Sequence, residues 1–407
     1  MLSNIAYKVE KQHKSFTFFV YIVWFFIFEP FISPYPIGSD LQPLSLILAT
    51  ITLALYWLQG GREQLNTVLI YVIALFVETY HLLLFGTVAG VYLASVIYVS
   101  FTLKYYRFLT PKFILAVLIF HMIGLFWQAL DAVSFSNVLS HFINLIKYTG
   151  HLGRGLTGFA TEPSFSAALI TLYSIIYFRF FSSKSNKLKA YFMLIIYFIG
   201  IYVTRSSFGY FSIPIVLFSF FIKDKELCFT NTKNFFFLGL AIFFIALIIL
   251  NLDLNHRGIL SFQQIFYNPE LLLLDASLQE RFRSLYVGWT SIFNYKPFGI
   301  GHENFADATR WVDSNYNLGV LFKNSRDIQG SASGLANILV GTGLIGVVFY
   351  FSLFAYVKPS FKFRNLPLIF LSILMFLFSF SPAFPFIYIL MILTRKLDNS
   401  NAQNIRM

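Results

Sequence analysis

Among the 30 Lys and Arg residues of the chain, ten form a set apart: Lys147, Arg154, Arg205, Arg257, Arg281, Arg283, Lys296, Arg310, Lys323 and Arg326. Seven of the ten are Arg. A guanidinium binds phosphate or carboxylate through a planar fork, whereas an ammonium does so only as a point charge. The set therefore suits a partner carrying one of those groups. Arg205 sits in Thr204-Arg205-Ser206-Ser207-Phe208-Gly209, in the middle of the apolar stretch 190–222. That stretch is too long for one membrane span and short for two, so the economical reading is two short helices meeting at a break. A basic side chain at the centre of a bilayer costs about 3 kcal/mol or more and normally faces protein or water. The alternative is an interfacial Arg that snorkels to headgroups.

A second group is Gly153-Arg154-Gly155-Leu156-Thr157-Gly158, followed by Thr161-Glu162-Pro163-Ser164. Glycine lets backbone approach a ligand closely. Glu162 stands before an apolar run with Pro163 suited to a first helical position. It is either a functional carboxylate or a simple helix cap. A third group runs from Ser277 through Glu280, Arg281 and Arg283, and then Tyr295-Lys296-Pro297-Phe298-Gly299-Ile300-Gly301-His302-Glu303-Asn304. Arg281 and Arg283 could equally form a solvated helix face, and His302 and Glu303 could be ordinary polar residues after a glycine turn. Gly341-Thr342-Gly343-Leu344-Ile345-Gly346 fits the dinucleotide pattern, but no strand precedes it and no acidic residue follows at the required distance. Small residues for close packing explain it better. There is no P-loop, no DxD-type metal pair and no HExxH.

The elements that must carry these residues are helices. The chain has 407 residues, is 57% hydrophobic and 12% charged, and has a mean hydropathy of +0.69. Soluble domains carry about 25% charged residues, so the composition predicts an all-α, polytopic membrane protein. A span needs about 20 apolar residues. Candidates are 15–33, 44–58, 66–85, 87–103, 112–130, 163–182, 190–204, 206–222, 234–251, 336–357, 366–379 and 383–394, about twelve in all. The stretch 366–394 is interrupted at Ser381-Pro382 and Pro385 and reads as two short spans or one kinked one. Lys8, Lys11 and Lys14 precede the first apolar run, which lacks a small-residue cleavage site and reads as an uncleaved span.

With the N-terminus inside, the loops at Arg62, at Lys104 and Arg107, at Lys184 to Lys189, at Lys223 to Lys233 and at Lys358 to Arg364 are all internal and all basic. That is the positive-inside pattern. The net charge of +12 is then topology-setting and not a nucleic-acid signal. The ten residues of the first set fall outside, in a medium loop (131–162), at the Arg205 break and in a large loop (252–335) expected to hold short helices. The single cysteine, Cys228, permits no intrachain disulfide and no thiolate metal cluster. The chain reads as one integral membrane domain over 1–407.

In order and spacing, these motifs resemble the O-antigen polymerase and ligase superfamily, the Wzy-like integral membrane glycosyltransferases. The resemblance spans about 150 to 350. It rests on the Arg-Gly…Glu-Pro-Ser segment, the Thr-Arg-Ser break, the loop opening with Ser-x-x-x-Arg, the Lys-Pro-Phe-Gly-Ile-Gly turn, and the helix carrying Asn337 and Gly343-Leu344-Ile345-Gly346. It implies transfer of a glycan from an undecaprenyl-diphosphate carrier to an acceptor hydroxyl on the outer face of the bacterial cytoplasmic membrane, without metal or cofactor. Arg205 and Arg281 match the family's diphosphate-contacting arginines, with Arg154 a third. Arg283, Glu303 and Asn337 are further substrate-binding candidates, and Glu162 and His302 are candidates for the acceptor base. The implied partners are the lipid-linked oligosaccharide, the bilayer and, optionally, a chain-length regulator protein. The ligase branch carries a His near the end of the large loop. Here that stretch reads Gly330-Ser331-Ala332-Ser333-Gly334-Leu335-Ala336-Asn337, which favours a polymerase over a ligase. A flippase or transporter for the same lipid-linked glycan is a third reading.

Overall fold

A computed structural model of the chain describes residues 16–33, 43–142, 155–181, 187–221, 276–318, 333–362, 365–378 and 384–404, with 259, 260, 263 and 322. Among them are 15 α-helices and no strand. They are α1 (Phe16–Phe28), α2 (Leu44–Leu58), α3 (Leu65–Phe85), α4 (Val91–Tyr105), α5 (Pro111–Leu130), α6 (Ala132–Leu139), α7 (Pro163–Phe181), α8 (Lys187–Thr204) and α9 (Ser207–Phe221). After these come α10 (Ala276–Thr290), α11 (Phe305–Tyr316), α12 (Gly334–Gly341), α13 (Gly343–Val357), α14 (Leu366–Phe378) and α15 (Phe386–Asn404).

Local chemistry sets many of the boundaries. Thr110 caps α5 by accepting from Phe113 N at 3.2 Å, with Pro111 as the first helical residue. Asp131 ends α5 and caps α6, accepting from Ser134 N at 2.9 Å. α7 begins at Pro163, and the Glu162 carbonyl accepts from Phe165 N and Ser166 N, both at 3.1 Å. Such caps satisfy donors that a helix leaves without partners in its first turn.

α7 is the hub. It packs against α5, α8, α9 and α14, and α14 joins it to α15. α15 packs on α4, α4 on α2 and α3, and α3 on α13. α10 and α11 lie on α12 and form a small second core around Val287, Phe305, Ala308, Val312, Ala336 and Val340.

Basic residues from distant loops share one end of this assembly. Lys104 Nζ lies 2.8 Å from Glu63 and 3.8 Å from the centroid of the Tyr56 ring. The hydroxyls of Thr67 and Tyr356 are 2.6 Å apart. Arg179 donates to Asn365 Oδ1 at 3.2 Å, and Arg395 donates to Val357 O at 3.4 Å. The start of α3, the ends of α4, α7 and α13, and Arg395 are thereby brought together. Glu162, the end of α3 and the α8–α9 turn lie at the opposite end.

The helices correct the sequence reading in places. Two of them, Leu65–Phe85 and Pro111–Leu130, are long and apolar enough to cross a membrane, and further apolar helices run to only 10–17 residues. Twelve spans are not reached among the described residues. The first helix stops at Phe28, ahead of Pro30. α4 starts at Val91, not at 87, because Gly86 (φ 74°) and Gly90 (φ 72°) hold a left-handed loop before it. The expected span 336–357 is two helices broken at Thr342, and α15 continues through Arg395 and Lys396. The span 234–251, Ser381-Pro382, Cys228, Lys147, Arg154, Arg257, Lys323 and Arg326 lie outside the described residues.

Candidate functional site

The break between α12 and α13 is filled by the turn Pro297–Gly301. A broken helix exposes carbonyls and amides with no partner of their own, and here the turn supplies them. Ile300 N donates to Val340 O at 2.8 Å, Gly301 N to Gly341 O at 2.9 Å, and Leu344 N to Pro297 O at 2.9 Å. The approach requires glycine. A Cβ on Gly341 would lie 2.3 Å from the His302 ring, and one on Gly343 (φ 57°) would lie 2.1 Å from Pro297 O. The Gly341-Thr342-Gly343 pattern is therefore a packing device for a crossing loop.

This docking fixes His302. Asn337 Oδ1 lies 2.9 Å from His302 Nδ1, so that nitrogen carries the proton and donates. His302 Nε2 is left to accept from the Tyr92 hydroxyl at 3.3 Å, and Tyr92 also bonds the Thr342 hydroxyl. The His302 backbone N–H donates to His81 Nε2 at 3.3 Å, while His81 Nδ1 donates to Thr87 O at 2.7 Å. Below them Glu78 caps α4, accepting from Gly90 N at 2.8 Å and Tyr92 N at 3.1 Å. A carboxylate at a helix N-terminus is favourable on electrostatic grounds. Burial pushes the pKa of His302 down to about 4, the Asn337 bond opposes this, and neighbouring His81 adds to it. At neutral pH the ring is uncharged and is a weak base. A general base works best with a pKa near the operating pH, so this environment suits His302 to holding and orienting a hydrogen bond rather than taking a proton.

The Arg205 turn is built by a different crossing. Arg205 adopts φ 49°, uncommon for a residue with a side chain, and its side chain is exposed. Against this turn lies the segment Gly155–Gly158. Leu156 N donates to Val203 O at 3.2 Å, and a Cβ on Gly155 would fall 1.6 Å from Thr204 O. Gln128 at the end of α5 holds the segment from the other side, accepting from Thr157 N at 2.8 Å and Gly158 N at 2.9 Å. Glu162 follows at the start of α7, accepting from the Ser164 hydroxyl at 3.2 Å.

No family model and no curated protein matches the chain. The site therefore rests on its own geometry. The structure joins His302 to Asn337, and it sets the backbone next to Arg154 against the Arg205 turn. Arg281 is half-buried and Arg283 buried (7% exposed) on α10, which packs on α12 and α14. Glu303 is exposed beside His302.

Sequence reasoning missed a further cluster. His121 of α5 lies with Nδ1 3.1 Å from Glu29 Oε1 and Nε2 2.8 Å from Ser166 Oγ. The Tyr173 hydroxyl donates to Phe28 O at 2.5 Å and to Glu29 Oε1 at 3.1 Å. Glu29, His121, Ser166 and Tyr173 are each 0% exposed. The cluster ties α1, α5 and α7 together one turn below Glu162. Its signal was present: ionisable residues inside apolar runs are functional or structural by default, and Glu78, His81 and His121 all stand in such runs.

Proposed function

We propose that the chain is a multi-pass membrane glycosyltransferase of the O-antigen polymerase type. In this reading it transfers an undecaprenyl-diphosphate-linked glycan to the acceptor sugar of a lipid-linked repeat unit, at the external face of a bacterial cytoplasmic membrane. The observation that carries it is the seating of Gly155 and Leu156 on Val203 and Thr204. Two motifs separated by about fifty residues, each with one of the candidate arginines, share one crossing. The left-handed Arg205 adds weight, because strained backbone concentrates at functional sites. The membrane part draws on the outward apolar face of α3, where Leu65, Val68, Leu69, Val72, Leu75, Phe76 and Leu83 are all exposed. It also draws on the basic residues gathered at the far end.

The reaction is a displacement. The acceptor hydroxyl attacks the anomeric carbon, the bond from that carbon to the diphosphate oxygen breaks, and the hydroxyl proton leaves to a base. Glu162 takes the proton. Arg205 and Arg281, with Arg154 and Arg283, hold the diphosphate and offset the charge it gains as it departs. Fixed cationic donors in a site with little water are well suited to this. His302 stays neutral and, with Asn337, holds the large loop over the acceptor.

A second reading, a transporter of the same lipid-linked glycan, draws on the buried Glu29–His121 pair, since ionisable groups inside a helical bundle mark ion pathways. One experiment separates the two. Arg205→Ala and Arg281→Ala are expected to abolish long-chain glycan while protein level and externally displayed single units stay intact. Normal chain length in both variants removes the diphosphate role. Loss of external single units favours the transporter.

A further inference from the structure

The outer surface of α10 and of the π-helical turn that follows it, Ser291–Tyr295, is aromatic. Trp289, Phe293 and Phe298 are 60%, 62% and 57% exposed. The opposite face of α10 is covered: Arg283, Ser284, Val287 and Thr290 are buried, and Gly288 presses on Ala336 of α12. The aromatic face therefore lies outside the packing of α10 on α12. Trp289 and Phe293 lie 4.9 Å apart between ring centroids. Exposed Lys296 follows, with its Nζ 5.8 Å from the Tyr295 ring centroid.

One edge of this patch, at Phe298, is placed by α3. The Tyr80 hydroxyl donates to Phe298 O at 3.2 Å, and Gly301 lies against Phe85 at the end of α3. Phe298 is thus beside the last turn of α3, where Leu83 and Leu84 are 79% and 58% exposed. α3 has 21 residues, or about 31 Å, and its exposed apolar face runs from Leu65 to Leu84. A bilayer's hydrocarbon core is about 30 Å thick. If one end of α3 meets one boundary of that core, the turn carrying Phe298 meets the other.

We infer that Trp289, Phe293 and Phe298 are a membrane-interface anchor for the large loop. They insert at the headgroup level of the outer leaflet, with Lys296 directed to lipid phosphate. The indole of Trp289 favours this layer, where its ring meets acyl chains and its N–H meets water, and the Phe293 and Phe298 rings add apolar area beside it. Phe298, at one edge of the patch, sits beside the last turn of α3, so a phospholipid surface on the apolar face of α3 reaches the patch at that edge. Such an anchor holds α10, and with it Arg281 and Arg283, at the membrane boundary, where a lipid diphosphate presents its charge. The inference rests on the membrane reading above.

The test is fluorescence of the full chain reconstituted in phosphatidylcholine–phosphatidylglycerol vesicles whose acyl chains are brominated at shallow or deep positions. The Trp289 component is the emission lost in Trp289→Phe. The internal control is Trp57, exposed at the basic end and isolated in the same way with Trp57→Phe. Shallow bromines are expected to quench Trp289 more strongly than deep ones. An unquenched Trp289 component with a quenched Trp57 overturns the anchor and leaves the membrane reading standing. This holds whether the Trp289 emission is red-shifted, as in water, or blue-shifted, as under a second copy of the chain. Quenching of neither tryptophan overturns both.

Discussion

Gly155→Ala tests the crossing on which the functional reading rests. A Cβ at this position would lie 1.6 Å from Thr204 O, 2.1 Å from the Thr204 carbonyl carbon and 2.7 Å from Arg205 N. All three are backbone atoms, so no flexible side chain can move aside. Real Cβ atoms do not come within 3.0 Å of such atoms, and the segment must retreat by about 1.4 Å. The Leu156 N to Val203 O bond, 3.2 Å long in the native crossing, then stretches past any hydrogen-bonding distance. Its loss costs about 1 kcal/mol, rising to about 3 kcal/mol if the amide stays buried without a partner. The effect on activity is larger. A displacement of about 1 Å in a positioning element can cost about 10²-fold in rate, and here the displaced segment leads directly to Arg154. The assay is glycan transfer from a lipid-diphosphate donor by purified protein in nanodiscs, with thermal unfolding measured alongside. The control is Gly60→Ala, where φ is 83° but nothing lies within 4 Å of the new Cβ. It adds a left-handed backbone strain that Gly155, outside that region, does not carry, and it adds no clash, so near-native transfer in it isolates the clash as the cause. The expected result is a loss of about 10²-fold in Gly155→Ala with near-native transfer in Gly60→Ala. Equal transfer in both variants would refute the idea that this crossing positions the arginines.

The low pKa of His302, about 4 against an ordinary 6.5, means that the unfolded chain takes up the proton first as pH falls. The stabilisation from keeping the ring neutral is complete above about pH 6.5 and is lost as pH falls through 6.5 toward 4. It amounts to roughly 3 kcal/mol at most, and His302→Gln should flatten the decline in unfolding temperature over that range while leaving wild-type behaviour above it unchanged in slope. Glu29→Gln weakens the hydrogen bonds that Glu29 Oε1 accepts from His121 and Tyr173, and leaving a buried polar group without its partner costs about 1–3 kcal/mol. The double variant Glu29→Gln, His121→Gln should recover a good part of that loss in thermal unfolding, and additive losses would show that the pair is not coupled. Reporter fusions at Lys187 and Lys225 are expected to read cytoplasmic and one at Asp313 external. A cytoplasmic reading at Asp313 inverts the proposed orientation.

The helical class, the start of α7 at Glu162–Pro163 and the α8–α9 break at Arg205 were legible in the residues themselves. Each depends on neighbours in sequence: a proline suited to a first turn, a polar interruption, a change in hydropathy. The glycine pattern at 341–346 was legible as a packing signal, though not as a break, because nothing local announces that a loop from forty residues earlier will enter it.

The side-chain partnerships were decided by the tertiary structure alone. Tyr92 and His302 meet across 210 residues, and Glu29 and His121 across 92. An amphipathic helix declares its buried face through its polar stripe. α4, α9 and α13 are apolar on nearly every side, so their sequences do not say which face meets which neighbour. Pairing in the bundle follows from the fit of small residues, Gly155 and Gly343 against backbone atoms and Gly341 against the His302 ring, and that fit exists only once the helices are packed.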